Sequence, residues 1–224
     1  VKIPRAPHAW KVSPKRAVEI QRQLADRVIP RGRLARARLI AGADLAFTSD
    51  KGTCVAGVVV WDLRTDQVVE QHVVHQPVAF PYVPGLLSFR EAPALVAAFR
   101  RLSVEPDAFM FDGQGLAHPR RFGLACHVGL LLDRPSLGCA KSILIGGGET
   151  PAQDRGSTTP LIHHGQTIGE AVRTRDGVRP VYVSIGHRIS LRVAVDLTLQ
   201  CSTRYRLPEP TRLADKLVAR AKRS

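Results

Sequence analysis

The sequence predicts a mixed α/β fold. Three strand-like segments near the N-terminus are joined by short turns, and helix-like and strand-like segments then alternate to the end of the chain. At 224 residues the chain is long enough for one substantial core. Apolar residues make up 44% and charged residues 23%, the balance of a folded domain, which excludes wholesale disorder. The best apolar run, Val55–Trp61, is seven residues long, far short of the roughly 18 needed to cross a bilayer. The N-terminus, VKIPRAPHAWK, lacks the apolar stretch of a signal peptide, so a soluble, cytoplasmic protein with no membrane association is expected.

Residues 15–28 place Val18, Leu24 and Val28 among charges at roughly helical spacing and predict a basic amphipathic helix. Strands are expected over Leu39–Phe47, 54–62 and 67–75, separated by turn-formers at 48–52 and 64–66. Connections this short make an antiparallel meander. A proline-rich loop, 77–85, comes next. Ser88 and Glu91 fit a capping box, but that would make Pro93 the fifth helical residue. A helix starting at Pro93 and running to about 102 suits proline better and leaves Glu91 just outside it. A strand over 106–111, a helix over 121–132, a strand near 137–145 and a loop through Pro160 follow. The last elements are a strand over 181–185 and helices over 190–200 and 211–222. This is the order of a ribonuclease-H-like mixed sheet flanked by helices, an order that other mixed sheets share. No repeat or linker divides the chain, so 1–224 is expected to be a single domain.

Lys and Arg total 33 against 19 Asp and Glu, a net charge of +14. Residues 1–40 hold 11 basic and 2 acidic side chains and residues 201–224 hold 7 and 2, whereas 41–200 hold 15 of each. A neutral core with basic ends suits a polyanionic partner, solubility being the other explanation. If nucleic acid is the partner, arginines in 31–38 are expected to supply phosphate contacts. Cys54, Cys126, Cys139 and Cys201 form no C-x-x-C pair, so neither a zinc ribbon nor a redox motif is indicated, and reduced, mostly buried thiols are expected. His72 and His75 fall on opposite faces of a strand, and the adjacent His163 and His164 cannot share one ligand from a strand; both pairs are expected to be structural or superficial.

Asp44 stands in the middle of an apolar strand, where a carboxylate must be ion-paired, hydrogen-bonded or bound to a cation. Asp112 ends the apolar run 108–111 and leads into a Gly-rich turn, the position where open α/β sheets place their sites; an ordinary Asp-Gly turn looks the same. Together, two acids at the ends of neighbouring strands would make an oxygen-lined site for Mg²⁺. Glu91, freed from the helix, is a third candidate. In Pro81-Tyr82-Val83-Pro84-Gly85 two prolines stiffen the backbone around Tyr82, which suits stacking or wedging between bases as well as core packing.

The motifs AGADLAF (41–47), PYVPGLLSFRE (81–91), DGQGLAHPRRFGLACHVG (112–129), GCAKS (138–142), GHRIS (186–190) and RLPEPTRLAD (206–215) occur in this order. In combination they resemble the endonuclease V family, deoxyinosine 3′-endonucleases of ribonuclease-H-like fold, over most of the chain. The resemblance implies Asp44 and Asp112 as ligands of a catalytic Mg²⁺, with Mn²⁺ able to replace it, and Asp215 as a further metal-site position. It implies Glu91 as the third catalytic acid, Lys141 beside the scissile phosphate, and Tyr82 as a wedge that separates the strands. A flipped hypoxanthine would sit near Leu87, Gly113, Gly123 and Leu124. His187 is expected to be structural, and Gln114 stands where many members carry histidine. The implied reaction is hydrolysis of the second phosphodiester bond 3′ to deoxyinosine in DNA, leaving 3′-hydroxyl and 5′-phosphate ends, by a protein expected to be monomeric. Inosine in single-stranded RNA is the alternative substrate, and an inactive nucleic-acid-binding scaffold the alternative of another class.

Overall fold

The computed structural model describes residues 1–34 and 36–223; Ala35, within the basic stretch 31–38, and Ser224 lie outside the described residues. Strands β1 (Leu39–Phe47), β2 (Thr53–Asp62) and β3 (Gln67–Pro77) form the expected antiparallel meander, with Leu39 opposite Asp62 and Asp44 opposite Gly57. Before them runs α1 (Pro14–Ala25), started by Pro14 and capped by Ser13, whose hydroxyl accepts from the Arg16 amide at 3.2 Å. Strands β4 (Ala108–Phe111) and β5 (Ser136–Ala140) join β1 in parallel, which requires crossovers, and α2 (Leu87–Phe99) and α3 (Leu124–Leu132) supply them. Then β6 (Thr158–His163), β7 (Gln166–Val172) and β8 (Val181–His187) complete an eight-stranded mixed sheet of order β3-β2-β1-β4-β5-β8-β7-β6.

Helices α2 and α3 bury one face of the sheet, including Ala41, Ala43, Val58, Val60, Phe109 and Phe111. The alternate residues Ile40, Met110 and Val183 turn to the other face, where α4 (Leu191–Cys201) and α5 (Glu209–Ala221) pack. Two glycines seat α5. A Cβ at Gly42 would lie 2.1 Å from the Pro210 carbonyl carbon, and one at Gly57 2.6 Å from Val218 Cγ2. All four cysteines are buried free thiols. Among the described residues no helix is long and apolar enough to cross a membrane.

Three expectations are corrected. Helix α2 starts at Leu87, six residues before Pro93, so Glu91 lies inside the helix and not ahead of it. No capping box forms, because the Ser88 hydroxyl bonds to His127 Nδ1 at 2.9 Å; Pro93 leaves the Phe89 carbonyl without its helical donor, and burial of Phe89, Leu95, Phe99 and their neighbours carries the helix instead. The strand expected over 137–145 ends at Ala140. The region after it, expected to be loop through Pro160, already contains the start of the β6–β7 hairpin, whose edge strand buries only Leu161 and so shows no apolar alternation. His163 ends β6 and His164 occupies the hairpin turn at φ 51°, which brings their rings to 4.0 Å between centroids.

Candidate active site

The parallel register of β1 and β4 pairs Ala43 with Phe111. The next residues, Asp44 and Asp112, therefore stand side by side where β4 ends and β1 runs on toward Phe47. Asp215 comes from α5, whose close seating on Gly42 brings its carboxyl near that of Asp44. Glu91, buried on α2, faces the charges of Asp44 and Asp112. Burial pushes the Asp44 carboxyl up to about 7, with the charges of Asp112 and Asp215 adding to it against a bond from the Leu45 amide. Burial, then the Asp44 charge, pushes Glu91 up to about 8, opposed by Arg90. Lys141 follows β5, next along the sheet, and its Nζ lies 2.5 Å from Asp112 Oδ2. Burial works to lower the Lys141 pKa, but the bond to Asp112 and the charges of Asp112, Asp44 and Asp215 outweigh it and hold the ammonium above its usual range.

Hard carboxylate oxygens at Asp44, Asp112 and Asp215 suit a cation such as Mg²⁺, whose charge would oppose the burial and the mutual repulsion that raise Asp44 and Glu91. Among the described residues no three acidic, His or Cys side chains converge on a ready-made cage.

A cavity of about 400 Å³ adjoins the acids. Leu87, Gly113, Gly123 and Leu124 all line it, together with Tyr82, Asp112 and Lys141. Tyr82 is 70% exposed, so its ring is free to stack. The Gln114 Nε2 donates to the Ser142 carbonyl at 2.9 Å, which fixes the orientation of the amide and leaves its Oε1 buried with no partner.

The Endonuclease V family model matches residues 22–216, most of the chain. The chain belongs to the endonuclease V family. It is 47% identical over 214 residues to the endonuclease V of Trichormus variabilis, covering 95% of this chain and 97% of the relative. The crystal structure of the Streptomyces avermitilis endonuclease V superposes with a TM-score of 0.92 at 42% identity, over 97% of this chain and 96% of that one. A Ciona intestinalis endonuclease V, solved in complex with a 24mer DNA containing an inosine followed by a ribo-adenosine, gives a TM-score of 0.80 at 25% identity, over 92% and 95% of the two chains. As a member of this family the chain is an enzyme, a nuclease with a metal-dependent mechanism.

In this endonuclease V the loop bearing Tyr82 is held by residues to which the sequence analysis gave no role. Gly85, at φ 74°, offers its carbonyl to Gln21 Nε2 at 3.1 Å, His118 Nε2 at 3.0 Å and Arg120 Nη2. Burial, with the Arg120 charge, pushes His118 down to about 4, so the ring is a neutral donor at Nε2 and accepts the Arg120 amide at Nδ1. The triplet His118-Pro119-Arg120 inside the 112–129 motif was the available signal. His187 accepts the Ile29 amide at Nδ1 and bonds Asp133 through Nε2, which pins the chain after α1 to the end of β8.

Proposed function

We propose that Asp44, Asp112 and Asp215 hold the divalent ion, Mg²⁺ or in its place Mn²⁺, and that Glu91 and Lys141 complete the catalytic group. The activity of an endonuclease V is endonucleolytic cleavage of DNA containing deoxyinosine. When bound, the ion supplies Lewis-acid stabilisation of phosphoryl charge and lowers the pKa of water. The chain's own residues do the rest. Lys141 neutralises a non-bridging oxygen of the scissile phosphate, exchanging its contact with Asp112 for one with substrate. Glu91, facing Asp44 and Asp112 from α2, is the third catalytic acid. Tyr82 wedges between bases, and backbone amides and carbonyls around Leu87, Gly113, Gly123 and Leu124 read the 6-oxygen and N1 proton that distinguish hypoxanthine from adenine. The unpartnered Gln114 Oε1 is an acceptor ready for a donor of the bound nucleotide.

The observation that carries this reading is the side-by-side placement of Asp44 and Asp112, with Asp112 and its partner Lys141 lining the cavity that adjoins them. The bond hydrolysed is the second one 3′ to the lesion, giving 3′-hydroxyl and 5′-phosphate ends. Sizing the products from end-labelled duplexes with one deoxyinosine, beside matched ribo-inosine strands, with and without Mg²⁺, tests it. Mg²⁺-dependent nicking one nucleotide beyond the lesion's 3′ neighbour bond is the expected result. Cleavage confined to ribo-inosine strands would reassign the substrate, and no Mg²⁺-dependent nicking of either would overturn the reading.

A further inference from the structure

Among the described residues eight large hydrophobic side chains are exposed, and four of them, Tyr82, Leu87, Ile143 and Leu144, line the one cavity beside the acids. Such clustering marks an interaction surface. Tyr82 and Leu87 come from the chain that enters α2, whereas Ile143 (42% exposed) and Leu144 (50% exposed) come from the segment after β5.

That segment is an arch clamped at both ends. At its start the Lys141 carbonyl accepts from Arg206 Nη2 at 3.0 Å and the Ser142 carbonyl from Gln114 Nε2 at 2.9 Å. At its end Gly147 and Ile162 exchange both backbone bonds, at 3.0 and 2.7 Å. Gly146, at φ 75°, approaches β6 so closely that a Cβ would lie 2.8 Å from the Ile162 carbonyl oxygen. The two apolar side chains are therefore held out by a fixed backbone, and little entropy is left to lose when something packs on them.

We propose that Ile143 and Leu144 form a second apolar lip, which packs on the base stack of a deoxyinosine-containing duplex and shares with Tyr82 the work of opening it. The inference rests on the nuclease reading of the same site. Lys141, two and three positions earlier, addresses a phosphate, so the bases attached to that backbone lie within reach of the arch tip. Flat apolar base faces are what exposed aliphatic wedges pack against when a step is unstacked.

The test uses the full chain and the double variant Ile143→Ser/Leu144→Ser, with Leu144→Met as the apolar control. Nicking is measured on one deoxyinosine strand, free or annealed, and unstacking is read from 2-aminopurine placed beside the lesion without divalent ion. The double variant should lose about tenfold on duplex and less than about twofold on the single strand, with a smaller 2-aminopurine rise, and Leu144→Met should keep duplex activity. An unchanged duplex-to-single-strand ratio, or equal losses on both, would overturn the second lip while leaving the nuclease reading intact. Wild-type protein that nicks neither strand form would instead overturn the nuclease reading, and this inference with it.

Discussion

Asp44 and Asp62 lie on adjacent strands of one sheet, and their carboxyl groups are displaced in opposite directions. Asp62 ends β2 at the amino end of β1, where Arg38 binds it through Nε at 2.8 Å and Nη2 at 2.6 Å; the bonds from Arg38 hold it down at about 2. Its neighbours at that end of the sheet are equally satisfied. Asp107 accepts the Arg38 and Leu39 amides, and Asp133 accepts Arg188 at 2.6 and 3.0 Å and lies below its usual range mainly through that bond. Toward the carboxyl ends of β1 and β4, burial and mutual repulsion push Asp44 to about 7 and Glu91 of α2 to about 8, with Lys141 as the nearby cation. Acids that stabilise the fold have their partners built in. The acids of the proposed site are left short of positive charge, which a bound cation would supply.

Removing acids from the two ends should separate these roles. Asp44→Asn or Asp112→Asn keeps size but removes a charge proposed to hold the ion, so on that proposal nicking of deoxyinosine duplex should fall by about 10³-fold or more while duplex binding largely survives. Near-normal nicking by either variant would remove that residue from the site. Tyr82→Ala should cost less, about tenfold on duplex, with single-stranded substrate spared, if the ring wedges strands apart as proposed. Equal losses on both would mean that Tyr82 supports the bound base. A variant of the clamp on Gly85, Arg120→Ala, should show the same duplex-selective loss in weaker form.

How far the sequence could show this division depends on the range of the forces involved. The meander was legible because strand-like apolar segments and the turn-formers between them are local signals, and β1 runs over Leu39–Phe47 as expected. Asp44 and Asp112 stood out as charges in or at the end of apolar runs, although only the β1–β4 register puts them side by side. The start of α2 was not legible, because long-range packing of Phe89, Leu95 and Phe99 overrides the local preference of Pro93. Strand β6 was missed because an edge strand with one buried side chain carries almost no apolar signal. Gln21, His118 and Arg120 converge on Gly85 from positions up to 99 residues apart, so no local pattern could reveal the clamp.

At the amino end the expected effect is on stability. The folded pKa of Asp62 lies below its ordinary 3.8, so its contribution is complete above about pH 4 and is lost as pH falls through about 2. Asp62→Asn should lower Tm at pH 7 by a few degrees, and the gap from wild type should close as pH approaches 2, with kcat unchanged. A fall in kcat without a fall in Tm would break the division between the two ends.

The smallest effect is expected from charge that looked important in the sequence. Arg31, Arg33 and Arg36 contribute to the basic N-terminal excess, and arginines in 31–38 were expected to contact phosphates. The fold carries this stretch along the amino end of the sheet. Ile29 and Gly32 accept the backbone amides of Arg188 and Ser190 after β8, the Arg38 carbonyl accepts the Leu63 amide, and Arg38 itself is committed to Asp62. Strands β1 and β5 thus separate these arginines from Asp44 and Lys141, which lie at the opposite ends of the same strands. Replacing Arg31, Arg33 and Arg36 together by Gln should therefore leave the slope of log affinity against log salt nearly unchanged. Lys141→Gln, which removes the ammonium proposed to meet the scissile phosphate, should flatten it by about one unit, the change expected for one lost phosphate contact. Salt-titrated binding of the two variants to one deoxyinosine duplex measures both. A flatter slope in the triple variant would mean that the duplex reaches around to the amino end, and that the satisfied acids there share their surface with bound DNA.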